Sequence, residues 1–253
     1  MEVAKLTDIG IQRKENQDQL GDFYNQSDQA LLILCDGMGG QNAGDVASEM
    51  ALFQVGKAWE ETVDMTHQRA RDWFQLVLQD ANDRLIEKSQ QYHDLEGMGT
   101  TVVAIAVMDR EATIAHIGDS RAYQIRDGAI KQITKDHSYV QELLDLNMIS
   151  EEEAKAHPQK NIITQSLGVK PDFYVDIDRL HLYPDDVFVL CSDGLSDMLA
   201  DEDILAIIDH YPHLDESIQR LVEAANQAGG KDNISVILAR IEGSDEYANR
   251  AAH

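Results

Sequence analysis

Five aspartates stand beside glycine or at the mouth of an apolar run: Asp18 in RKENQD, Asp36 in CDGMGG, Asp119 in GDSR, Asp193 in SDGL and Asp232 in GGKDN. A carboxylate at the end of a buried strand is costly unless something pairs with it. Hard oxygen ligands of this kind suit Mg²⁺ or Mn²⁺. A glycine after the aspartate lets a backbone carbonyl approach a cation and turns the chain sharply. Asp-Gly and Asp-Asn are equally common turn sequences, so the residue types alone leave both readings open.

Other chemistries fit the same residues poorly. The glycine-rich stretch after Asp36 lacks the Gly-Lys-Ser/Thr of a phosphate-binding P-loop. The dinucleotide fingerprint breaks at Asn42, where its last glycine belongs, and Asp36 would face a bound anion. There is no G-x-S-x-G elbow. The nine histidines show neither H-E-x-x-H nor paired spacing, which argues against a zinc site of imidazoles. Isolated histidines read as surface or satisfied core residues. Cys35 and Cys191 close apolar runs, and Gln41 and Asp197 stand where a cysteine-dependent phosphatase needs its arginine. The pair reads as buried, reduced thiols of a cytosolic protein.

The aspartates need elements to carry them. Apolar strand candidates lie at 31–35, 102–107, 112–117, 121–126, 129–133, 187–191 and 234–241, with Asp127-Gly128 as a tight hairpin turn. Helical patterns cover 43–59 and 66–91, where Ala70, Trp73, Phe74, Val77, Leu78, Ala81 and Leu85 mark one buried face. Shorter helices fit 202–209 and 215–228, the latter with Asp215 as N-cap. Ser150 and Glu153 form a capping-box pattern. Strands in runs with helices between them predict an α+β layered architecture. Neither a linker nor a fixed repeat divides the 253 residues. The acidic tail after Ile241 reads as frayed.

The formal net charge is -25. That balance excludes a general nucleic-acid binder and argues against docking on an anionic membrane. No signal-peptide pattern opens the sequence, and no apolar run is long enough to span a bilayer. A cytoplasmic location is expected.

The order of the motifs adds what the residue types leave open. Arg13-x-x-Asn16-Gln17-Asp18, Asp36-Gly37-Met38-Gly39-Gly40, Gly99-Thr100-Thr101, Gly118-Asp119-Ser120-Arg121, Asp136-His137-Ser138, Ser192-Asp193-Gly194 and Asp232-Asn233 follow one another. This resembles the metal-dependent Ser/Thr protein phosphatases of type 2C (the PPM family), particularly their compact bacterial members, from about residue 5 to 241. One site drawn from both ends implies one domain, 1–241, with 242–253 as the tail. The resemblance implies a four-layer αββα sandwich, two mainly antiparallel β-sheets flanked by helices.

It further implies two catalytic Mn²⁺ or Mg²⁺ ions and, in bacterial relatives, often a third. Asp36 would bridge two ions and the Gly37 carbonyl would bind one. Asp193 and Asp232 would hold the first ion, Asp18 would position water on the second, and Asp119 with Asp193 would take the third. Asn233 would support a ligand, and Thr100 and Thr101 would open a core strand. A bridging hydroxide would attack the phosphoserine or phosphothreonine phosphorus directly, with Arg13 gripping phosphate oxygens. Asp36, Asp119, Asp193 and Arg13 are the expected catalytic set. The segment 138–170 corresponds to a mobile flap that contacts protein substrates. Expected partners are phosphorylated proteins and a cognate Ser/Thr kinase, and the expected state is a monomer.

Two positions depart from the family pattern. Met38 stands where eukaryotic relatives carry a leaving-group histidine, and Gln41 where many bacterial relatives carry one. The general acid is therefore unassigned, with metal-bound water near Asp119 as the hypothesis. A catalytically silent metal-binding regulator would have lost a ligand, yet all the expected aspartates are present. A small phosphoester substrate fits less well with a flap, and a sensor-linked regulator would need further chain.

Overall fold

A computed structural model describes residues 1–40 and 43–243. The expected tail therefore lies outside the described residues beyond 243, as does Gln41.

Eleven strands occur among the described residues: β1 Glu2–Asp8, β2 Asp18–Tyr24, β3 Ala30–Met38, β4 Gly99–Thr100, β5 Val102–Met108, β6 Glu111–Ile117, β7 Arg121–Arg126, β8 Ala129–Gln132, β9 Asp176–His181, β10 Val187–Cys191 and β11 Ile234–Arg240. They form two sheets, ordered β1-β11-β10-β7-β8 and β2-β3-β5-β6-β9, with the short β4 paired to β3. Every ladder is antiparallel. The helices are α1 Ala43–Glu60, α2 His67–Gln91, α3 Tyr139–Asp145, α4 Glu151–Lys155, α5 Asp193–Ser196, α6 Asp201–His210 and α7 Leu214–Gln227.

The layering follows from side-chain alternation. Along β3, Leu31, Ile33 and Cys35 face α1 and α2, while Leu32 and Leu34 face the other sheet. Along β10, Val187, Val189 and Cys191 face α6 and α7, while Phe188 and Leu190 face β3's sheet. The period of two thus feeds two helix–sheet cores and one sheet–sheet core. This is the expected four-layer αββα sandwich, and both free cysteines are buried.

The expected central strands are all present. Asp127 and Gly128 turn the β7–β8 hairpin with φ of 52° and 71°, a left-handed pair that this turn requires. Helix α2 begins after Thr66, whose side chain accepts from the Arg69 N–H, and buries the expected face. The Ser150–Glu153 capping box opens α4. Asp215 is not an N-cap. Helix α7 starts one residue earlier, at Leu214, with His213 at the cap position and Asp215 in the first turn. Its charge there faces the positive end of the helix dipole, which is favourable without a capping bond.

Candidate active site

Strands β2, β3 and β10 and the loop before β11 end at one edge of the sandwich. Asp18 and Asp36 are direct cross-strand partners in the β2–β3 ladder. Two residues on from Leu34, Asp36 takes the sheet–sheet side of β3 by alternation. Like charges placed opposite each other destabilise a ladder, so this pair needs a cation or a proton.

The glycine after each strand-end aspartate serves close packing. Gly37 does not turn the chain; β3 continues to Met38 and pairs with β4. A Cβ on Gly37 would lie 2.0 Å from the Gly44 carbonyl oxygen. A Cβ on Gly194 would lie 1.9 Å from the Asn233 carbonyl oxygen. Glycine there lets the loop carrying Asp232 pass directly against the start of α5, which carries Asp193.

Hydroxyls and amides lock these pieces together. Ser192 Oγ donates to Asp18 Oδ2 at 2.9 Å and accepts from the Ser235 N–H at 3.0 Å. Thr101 Oγ1 accepts from the Asp36 N–H at 3.0 Å, and its own N–H donates to the Asp36 carbonyl at 2.9 Å. The same hydroxyl lies 2.7 Å from Ser120 Oγ, beside Asp119. Thr100 Oγ1 donates to the Asp36 carbonyl at 2.9 Å. Asn233 accepts from the Gln17 N–H and donates to the Ile9 and Glu15 carbonyls, each at 2.9 Å. It straps the N-terminal loop, and with it Arg13, to the end of the chain. Arg13 pairs with Asp232. Arg121 binds Asp136 bidentately, at 2.9 and 2.7 Å, joining two of the sequence motifs.

Burial and mutual repulsion set the electrostatics. Burial first, then Asp18, Asp193, Asp119 and Asp232, hold the Asp36 carboxyl well above the ordinary range. Asp193 is raised in the same way, by burial and then by Asp119 and Asp232. Asp18 is pushed up to about 6 by burial, against the opposing bonds from Ser235 and Ser192. Asp119 is pushed up to about 7, by burial and then by Asp136. One oxygen each of Asp119 and Asp193 is buried without a hydrogen-bond partner. Orphaned carboxylate oxygens among mutually repelling acids fit a divalent-cation site. Cys35, behind Asp36, is pushed above its ordinary pKa by burial, and Cys191 up to about 12, which leaves both thiols inert.

The structure thus brings all five aspartates and Arg13 to one edge. Sequence reasoning placed Ser192, Ser120 and Asn16 within the motifs but gave them no role as holders, and it gave Thr101 only a core role. Asn16 Oδ1 accepts from the Asp18 N–H at 3.1 Å. Small polar residues within the motifs were the available signal. A second group was also invisible in sequence: His116, His137 and Asp176 place ligand-type atoms within 4.8 Å of one another. The two imidazoles stack at 4.6 Å and 26°. Three of their four nitrogens already meet Lys135 O, the Gly118 N–H and Asp176. Stacked rings do not aim their in-plane lone pairs at a common point, so the group reads as a hydrogen-bonded brace behind the Asp119 loop.

The protein phosphatase 2C family profile matches residues 11–239. The chain belongs to that family. It is 42% identical to protein phosphatase PhpP of Streptococcus pneumoniae over 245 residues, 97% of this chain and 99% of the relative. It also superposes on the serine/threonine phosphatase of S. agalactiae with a TM-score of 0.92, at 41% identity, covering 95% of this chain and 99% of the other. The catalytic domain of the serine threonine protein phosphatase PstP, solved in complex with 2 manganese ions, matches with a TM-score of 0.84 at 34% identity, covering 96% and 98%. The family is metal-dependent, in agreement with the donor set described above.

Proposed function

We propose that this chain is a metal-dependent protein serine/threonine phosphatase that acts on phosphorylated proteins and opposes a Ser/Thr kinase. The observation that carries this reading is the cluster of five convergent aspartates with partnerless buried oxygens on Asp119 and Asp193. Asp36, Asp193 and Asp232 would hold one ion, and the Gly37 carbonyl would bind one of the two that Asp36 shares. Asp36 would share itself with a second, beside which Asp18 orients water. Asp119 and Asp193 would take a third. Mn²⁺ and Mg²⁺ both suit an all-oxygen set. Divalent ions bound there supply Lewis acidity to phosphate oxygens and make water a nucleophile at neutral pH.

Arg13 brings a planar fork that matches two phosphate oxygens. The Asn233 strap keeps its loop in place, and Asp232 orients the guanidinium from the side. Cations among the aspartates also reverse a local field that would otherwise repel a dianionic substrate from a protein of net charge -25. Residues 1–241 act as one domain because the site draws on both ends. Segment 138–170 acts as the flap facing protein substrates. We place the protein in a bacterial cytoplasm as a monomer; no described helix is long and apolar enough to cross a membrane.

The test is phosphate release from a phosphothreonine peptide with EDTA, Mg²⁺ or Mn²⁺, for the wild type and Asp193→Ala. Metal-dependent release lost in the variant is expected. A folded wild type inactive with either metal would instead point to a silent regulator.

A further inference from the structure

A groove of about 1020 Å³ runs from Asp119 and Asp193 outward between α3–α4 and the start of α6. Eight of its lining side chains are carboxylates and three are cationic. Some of those charges are already matched: Arg121 by Asp136, Lys160 by Asp197, and Asp145 by Lys135 from outside the groove. Glu151 on one wall and Asp201 and Glu202 on the other form no ion pair among the described residues, and Lys155 is the lining cation in the same position. Three unmatched carboxylates against one ammonium leave the groove walls acidic. Val140, Leu144 and Met198 supply apolar lining.

An acidic wall alone would be an ordinary solvated surface. Here its head is formed by Asp119, 8% exposed, with a buried oxygen that meets no partner. Asp193 lines the same head, so the groove opens directly from the aspartate cluster, and a polypeptide whose phosphate reaches that cluster can lie along it. Apolar lining with carboxylates at the rim matches long aliphatic stems that end in cations.

We propose that this groove receives the chain beside the phosphorylated residue, and that Glu151, Asp201 and Glu202 select substrates with Lys or Arg there. The proposal rests on the phosphatase reading and adds a substrate class to it. The carboxylates act on recognition and stand apart from the ion-holding aspartates, so a small aryl phosphate should not feel them. Partly exposed charge pairs contribute modestly each, so a peptide making two of them should gain about two- to tenfold. The gain should shrink in high salt, because these walls are open to solvent.

The experiment compares phosphothreonine peptides that differ only in Lys or Glu on either flank, using the Mn²⁺-loaded full chain and the Glu151→Gln/Asp201→Asn/Glu202→Gln variant. The expected result is a higher kcat/KM for Lys peptides on at least one flank, lost in the variant while its turnover of p-nitrophenyl phosphate stays unchanged. Equal use of Lys and Glu peptides by the wild type overturns the proposal, as does a preference that survives in the variant. If the wild type fails to hydrolyse p-nitrophenyl phosphate, the phosphatase reading fails by itself. Fluorescence anisotropy of the same unhydrolysed peptides then decides the groove separately: tighter wild-type binding of Lys peptides supports it, and equal binding overturns it.

Discussion

Asp36 stands on a strand whose preceding side chains, Leu31 to Cys35, are fully buried, and its backbone is held from both sides by Thr100 and Thr101. Across the groove, the segment 138–170 holds two short helices, and α3 buries none of its residues. Leu146 and Met148 there are 67% and 66% exposed. The segment is tied down mainly at its ends, by a Ser138–Ile163 bridge and a Thr100–Leu167 bridge. The contrast separates two jobs. Ion-holding carboxylates need their positions fixed to a fraction of an ångström by packing and supporting bonds. A surface that meets many protein substrates is served by low local stability.

The comparison can be broken most sharply at its rigid side. Asp36→Asn should lower kcat/KM for a phosphopeptide on the order of 10²–10⁴-fold, since several kcal/mol of metal-assisted stabilisation depend on that carboxylate. A loss below tenfold with the fold intact by circular dichroism would remove Asp36 from the centre of the site. Protons should compete with the ions next. On the proposed reading, Asp119, raised to about 7, would have to ionise to hold an ion, and Asp18, raised to about 6, to orient water on one. Mn²⁺ affinity by calorimetry should therefore fall as pH drops from about 8 to 5.5, with protons released on binding.

Gly194→Ala should destabilise the protein by about 1–3 kcal/mol in urea unfolding, because its methyl group would meet the Asn233 carbonyl. Thr101→Val should cost about 1–3 kcal/mol at most, from the Asp36 N–H and Ser120 hydroxyl left unpaired. It should also lower turnover more than it raises KM. On the loose side, Leu146→Ser should change stability by less than about 0.5 kcal/mol. An equal loss at Leu146 and Thr101 would erase the distinction between the two regions.

The same contrast governs what the sequence discloses. Central strands such as β3, β5 and β10 are buried on both faces and read as unbroken apolar runs. Strands β1, β2 and β9 were not anticipated. Each lies at a sheet edge, where half-exposed positions admit residues such as Lys5, Asp22 and Arg179. The site aspartates were legible because glycine marks two of them and the motif order fixes the rest. Their holders were not, since Ser192 and Thr101 look like any small polar residue until the fold brings them to Asp18 and Asp36. The reason for each glycine was also hidden: the clash partners, Gly44 O and Asn233 O, are remote in sequence or lie on another element.

Asn233 reaches back to Gln17, Ile9 and Glu15, closing contacts that span 216 to 224 residues of chain. Chains synthesised from the N-terminus present those early residues long before their partner exists. Ordering such distant pairs is slow, because the loop between them must close before any contact rewards it. A ribosome-bound intermediate halted before residue 233 would carry Arg13, Asp18, Asp36 and the whole flap, but neither the strap nor the final strand against which β1 and β10 pair. A chain halted there is therefore expected to be inactive and to acquire its chemistry only once Asn233 and β11 have joined it.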